Sequence, residues 1–205
     1  MLLFLGLWSA LTEVFDGVTL RGCAFHWAQA VQGKAKKLGL VTAAGLDPRL
    51  SKLLRRGLAL QFMPSSHIPQ IFQQLRLSSQ RYEEGHHIHR YLDYLDQQWI
   101  SSSTFPPSSW SQYGATIRTN NDLEGWHRSF NVSLGAHPRL YRFLKKIATD
   151  AAKTMDVIAA RDFSRNSEAT TQKEGRIKTI AERYLRKEIT ASKMLDCMSH
   201  IYRSK

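Results

Sequence analysis

Residues 118–131 read RTNNDLEGWHRSFN and set one acid, Glu124, between two large apolar residues, Leu123 and Trp126. A carboxylate at this place has two uses. It can be a catalytic acid, or it can be one end of an i,i+4 ion pair with Arg128 near a helix start, worth about a few tenths of a kcal/mol. The spacing alone leaves both open. Two further strings carry metal-ligating types: Cys23 with His26, and Cys197 with His200, share Cys-x-x-His spacing and use both cysteines of the chain. If the C-terminus folds back, the four could form a tetrahedral zinc site. The 170 residues between the pairs favour instead a small core cysteine and a hydrogen-bonded histidine at the first pair. His86, His87 and His89 stand close together but include no i,i+4 pair, so a polar turn is expected there.

The elements that must position these residues follow from apolar periodicity. Leu7, Trp8, Leu11, Val14 and Phe15 recur at helical spacing, and Asp16-Gly17 supplies a stop. VTLRGCAFH, residues 18–26, has strand composition, with Gly22 marking a close backbone approach or bulge. Trp27, Ala30, Val31, Ala35 and Leu38 then form a helical face that Gly39 ends. Helix, strand, helix predicts a piece of an α/β layer.

From residue 48 the chain predicts helices punctuated by proline. Pro48 opens one through Leu50, Leu53, Leu54 and Leu58; Ile68, Ile71, Phe72 and Leu75 mark the next; Tyr91, Leu92, Leu95 and Trp99 a third. SSSTFPPSSW, residues 101–110, reads as a loop. Thr119 with Asp122 has the form of a capping box ahead of Leu123, Trp126, Phe130 and Leu134, which places Glu124 near a helix N-terminus. Leu140 to Ile158 is one more helix, residues 165–176 a polar link, and Ile180, Tyr184, Ile189 and Leu195 a last helical stretch.

At 205 residues and 42% hydrophobic the chain can bury an ordinary core, and its formal charge of +12 points to an anionic partner, most commonly nucleic acid. Residues 135–205 hold net +8 of that charge. In the tail, Lys173, Arg176, Lys178, Arg183, Arg186 and Lys187 are the candidate phosphate contacts, weighed against an ordinary solvated face interrupted by Glu174, Glu182 and Glu188. Neither a zinc-finger nor a helix-turn-helix signature is present, so binding should be non-specific and salt-sensitive. No stretch reaches the ~18 apolar residues of a membrane span. MLLFLGLW lacks the basic n-region of a signal peptide, so a nuclear or cytoplasmic location without secretion is expected.

GCAFHWAQA (22–30), ALQFMPSSHIPQIFQQL (59–75), WSQYGATIRTNNDLEGWH (110–127) and HPRLYRFLKKI (137–147) together resemble the transposase domain of Mutator-like elements, over most of residues 7–160. The resemblance implies an RNase H-like α/β core split by a helical insertion. In such a core three acids, two Asp and a Glu, hold two divalent ions, normally Mg²⁺, for attack of water or a DNA 3′-hydroxyl on a phosphodiester. By the same resemblance Glu124 matches the third acid, and Cys23 with His26 the family's Cys-x-x-His signature. The first two aspartates lie, in the family, upstream of the helix that here ends at Phe15, and residues 1–7 carry no acid.

The expectation is therefore a mostly helical α/β chain. Residues 1–47 form a partial RNase H-like core, 48–117 a helical insertion, 118–164 the core-completing helices with Glu124, and 165–205 a basic helical tail. One carboxylate cannot clamp two Mg²⁺ ions, so a catalytically incomplete, N-terminally truncated DDE-type fragment is expected, with DNA as partner and self-association to cover exposed apolar surface. Two rivals stand beside it: a domesticated non-catalytic DNA-binding or scaffold protein, and a truncated gene model of an active transposase.

Overall fold

The computed structural model describes residues 8, 10–18, 20–115, 118, 121–160 and 168–202. The protein is mostly helical, and among these residues there is no strand. Two compact units divide it: residues 1–118 with 176–205, and residues 119–175.

The first unit is built on α1 (Ala24–Lys37), α2 (Leu40–Leu46), α3 (Pro48–Ala59), α4 (Ile68–Ser79) and α5 (His87–Leu95), joined by the C-terminal α10 (Ala191–Ser199). The start of α3 shows how the sequence makes these helices. Asp47 is its N-cap, accepting from the Arg49 N–H at 2.8 Å, and Pro48 fills the first helical position, where its missing N–H costs nothing. The expected apolar positions Leu50, Leu53, Leu54 and Leu58 are all buried. So are Ile68, Ile71, Phe72 and Leu75 on α4, and Tyr91, Leu92 and Leu95 on α5. Each side chain of this size stabilises the fold by about 1.5–3 kcal/mol. Met194, Leu195 and Met198 of α10, fully buried, pack across α3.

Among the described residues of 18–26 the expected strand is not formed. Ala24, Phe25 and His26 are the first turn of α1, and Cys23 is its extended N-cap. The physical reason is that only Val18 and Thr19 in that stretch are β-branched, whereas Trp27, Val31 and Ala35 demand a helical face from its far end, and all three are buried. Gly39, at φ +70°, does end that helix as expected. The close approach expected at Gly22 is present: its N–H donates to the Ser109 carbonyl at 2.7 Å.

Residues 101–110 differ from a plain loop. Pro107–Trp110 forms a short helix, α6, that drives the Trp110 ring to 2% exposure. That ring stacks on Trp27 at 4.8 Å and meets Trp99 edge-on, while its Nε1–H donates to the Trp99 and Phe105 carbonyls. A buried indole needs such a partner for its N–H. The polar link expected over 165–176 is likewise helical from Glu168 onward, in α9 (Glu168–Leu185).

The second unit holds α7 (Asn121–Leu134) and α8 (Leu140–Ala160). Phe130 and Leu134 are buried, and Phe130 meets Phe143 edge to face at 5.6 Å. Gly135, with φ +70°, closes α7 by donating its N–H to the Asn131 carbonyl. Thr119 of the expected capping box lies outside the described residues.

Candidate functional site

Glu124 sits one turn into α7, on an exposed face. Trp126, two positions on, is 37% exposed and donates its Nε1–H to Asp150 Oδ2 at 3.0 Å. Lys146 holds the other oxygen of Asp150 at 2.6 Å, and these two partners, Lys146 first, keep that carboxyl below the usual carboxylate range. Asp150 is thus committed to fastening α7 to α8.

Cys23 is half-buried and makes no side-chain cap, and the exposed His26 ring lies edge-on to Phe25. Cys197 is half-buried on α10, and His200 follows it, exposed. The two Cys-x-x-His pairs are not gathered into one ligand set: among the described residues no group of three or more His, Cys, Asp or Glu could hold a metal ion. The His86–His89 cluster is not the polar turn expected but the start of α5, with His86 its N-cap and His87 and His89 in its first turn, and it has three separate tasks. His86 Nδ1 accepts from the Ile88 N–H to cap α5, His87 Nδ1 reaches the Leu38 carbonyl, and His89 Nε2 the carbonyls of Tyr82 and Glu83.

The six tail cations Lys173, Arg176, Lys178, Arg183, Arg186 and Lys187 are exposed, and on α9 Arg176 and Arg183, seven residues apart, share one side. On α9, Lys178 stands two residues from Arg176 and so on the opposite side of the helix. Arg183 and Arg186 are both ion-paired with Glu188, at 3.4 and 3.9 Å. Lys173 belongs to the second unit and the other five to the first.

The positive surplus lies mostly in the first unit. The first unit carries 20 Lys+Arg against 10 Asp+Glu, the second 9 against 7. Within the first unit, residues 17–82 hold ten Lys+Arg and a single acid, Asp47. That acid is occupied: it caps α3 and accepts the Tyr82 hydroxyl at 2.7 Å. A sliding charge count would have shown this stretch in the sequence.

The strings 22–24 and 109–118, some ninety positions apart, are brought together. Besides the Gly22 N–H bond to Ser109, Gln112 Nε2–H donates to the Gly22 carbonyl at 2.6 Å, and the Ala24 N–H donates to the Arg118 carbonyl at 2.8 Å. No helix among the described residues is long and apolar enough to cross a membrane. No family model matches the chain, and neither a curated protein nor a solved structure is significantly similar to it.

Proposed function

We propose that these 205 residues are transposase-derived: the helical insertion, and the helix bearing the last acid, of a Mutator-like element transposase, with DNA as partner. In this reading α7 belongs to an RNase H-like core and the helices between residues 24 and 118, α1 to α6, are the insertion in it, which starts earlier than the expected 48–117, with α10 added to that body from beyond Glu124. One observation carries the proposal. An inserted body must begin and end at neighbouring points, and the hydrogen bonds joining residues 22–24 to Ser109, Gln112 and Arg118 close it in that way, six residues before Glu124.

The chemistry of such a core sets what this polypeptide does by itself. Two Mg²⁺ ions a few ångström apart each need several oxygens and must be bridged by carboxylate. The resemblance supplies one matching acid, Glu124. The polypeptide alone is therefore proposed to bind DNA without cutting it. A domesticated, non-catalytic DNA-binding or scaffold role is the second reading, favoured by the positive surplus lying in the first unit, not in the unit that holds Glu124.

The test pairs two assays. Supercoiled plasmid incubated with the purified chain in Mg²⁺ should stay intact with both the natural sequence and Glu124→Gln. Nicking by the former that the latter lacks would overturn the incompleteness. Duplex binding measured against salt should be tight at low salt and weaken steeply. A chain that leaves duplex DNA unbound at low salt removes the DNA reading altogether.

A further inference from the structure

We infer that the nucleic-acid contact surface is the polar face of α3, not the C-terminal basic tail. This rests on the DNA reading above and says where in the molecule it is carried out.

The face is organised by burial. With Leu50, Leu53, Leu54 and Leu58 all turned into the core, the opposite side of α3 presents Arg49, Lys52, Arg55 and Arg56 at i, i+3, i+6 and i+7, a single side of a 3.6-residue helix. The run from Arg49 to Arg56 covers about 10 Å of helix axis, enough to span about two neighbouring phosphates of one strand. One acid answers it: Asp196 of α10 pairs with Arg56 at 3.1 Å and with Lys52 at 3.4 Å. Two cations sharing one carboxylate leave a net positive charge there. Among the described residues neither Arg49 nor Arg55 is in an ion pair. Arg55, half-buried, donates through Nη1 to Ser51 Oγ at 2.7 Å, which fixes its guanidinium on one side. A guanidinium held on one side with donors still open is prepared for a phosphate oxygen.

The same geometry disfavours a lipid surface. A helix lying on a membrane inserts its apolar side, and α3 has spent its apolar side on the core. Val41 and Leu46 of α2 are exposed, but two residues do not make an inserting face. In the tail, by contrast, Arg183 and Arg186 are both paired with Glu188, and Lys178 lies on the other side of α9 from Arg176.

The experiment uses the full chain, a labelled mixed-sequence duplex of about two helical turns, and fluorescence anisotropy over a range of salt. Arg49→Gln with Arg55→Gln should weaken binding at low salt by about tenfold or more, and should flatten the log–log salt dependence by roughly two units, at about 0.9 per lost phosphate contact. Arg186→Gln with Lys187→Gln should change neither. Far-UV circular dichroism of each variant reads the fold. The inference is overturned if the α3 variant binds with natural affinity and slope, or if the tail variant loses as much as the α3 variant. It is also overturned if vesicles rich in phosphatidylserine capture the chain through Arg49 and Arg55 while the duplex does not. If the natural chain binds neither probe at low salt, it is the DNA reading itself that fails.

Discussion

Asp47 serves two elements with one carboxylate: Oδ1 accepts from the Arg49 N–H, and Oδ2 accepts the Tyr82 hydroxyl at 2.7 Å. The Tyr82 bond, chiefly, holds the Asp47 carboxyl below its usual range. Burial first, and then that bond, push the Tyr82 phenol up to about 12. The signs differ. A depressed carboxyl contributes stability above its ordinary value near ~3.9 that is lost as pH falls through the folded value. A raised phenol contributes stability below about 10 that is lost as pH rises toward about 12. Replacing Tyr82 with Phe should move the Asp47 titration up toward the ordinary carboxylate value, read by carboxyl-carbon NMR, and should lower stability above that value while shrinking the part lost as pH falls. An unmoved Asp47 titration would show the bond to be unimportant. Asp47 was legible in the sequence as the residue before Pro48, but Tyr82, 35 positions away, was not. The proposed role of Glu124 rests only on its resemblance to a family acid, since the spacing on α7 suits a surface glutamate equally well.

At the scale of elements, what could be read depended on how much of the information was local. The helix α3 was clear in advance because Pro48 and the leucine period agree. The strand over 18–26 failed because strand formation is decided by a partner strand, and that lies outside the local string. Trp110 was hidden in a loop by its serine and proline neighbours, although Trp27 and Trp99 enclose it. Gly57 was silent too. A Cβ there would come within 2.8 Å of the hydroxyl of fully buried Tyr91, so the glycine lets α5 approach α3. Gly57→Ala should destabilise by about 1–3 kcal/mol despite alanine's better helix propensity, a conflict in which overpacking wins. A melting temperature at or above the natural one would refute this. The end of α9 predicts the opposite sign. Lys187 adopts φ +60° in a Schellman turn, with Lys187 N–H to Tyr184 O at 2.9 Å and Glu188 N–H to Arg183 O at 2.9 Å. The left-handed conformation costs a β-carbon residue about 1–2 kcal/mol, and glycine's extra chain entropy about 0.5–1. Lys187→Gly should therefore raise stability by a few tenths to about 1 kcal/mol in denaturant melts, and a lower midpoint would count against the turn geometry.

Across the whole molecule, burial and charge are both distributed unequally between the two units. The first unit surrounds a continuous core from Trp27 to Met198, whereas in the second, among the described side chains, the buried large hydrophobics are Phe130 and Leu134. Leu140, Tyr141, Leu144 and Met155 of α8 remain exposed. Backbone amides exchange through the cheapest opening that frees them, and an opening that uncovers few apolar contacts is cheap. Hydrogen exchange followed by mass spectrometry should therefore find α3, α4 and α5 the most protected segments, and α7 and α8 exchanging faster by orders of magnitude. Addition of duplex DNA should slow exchange in the first unit, where the positive surplus lies, by stabilising the form that binds. It should leave α7 and α8 close to their free rates. Protection of α8 equal to that of α3 would mean that its exposed leucines are covered in solution, as they would be in a self-associated chain. Sedimentation on the same sample would then show a particle heavier than 23.5 kDa.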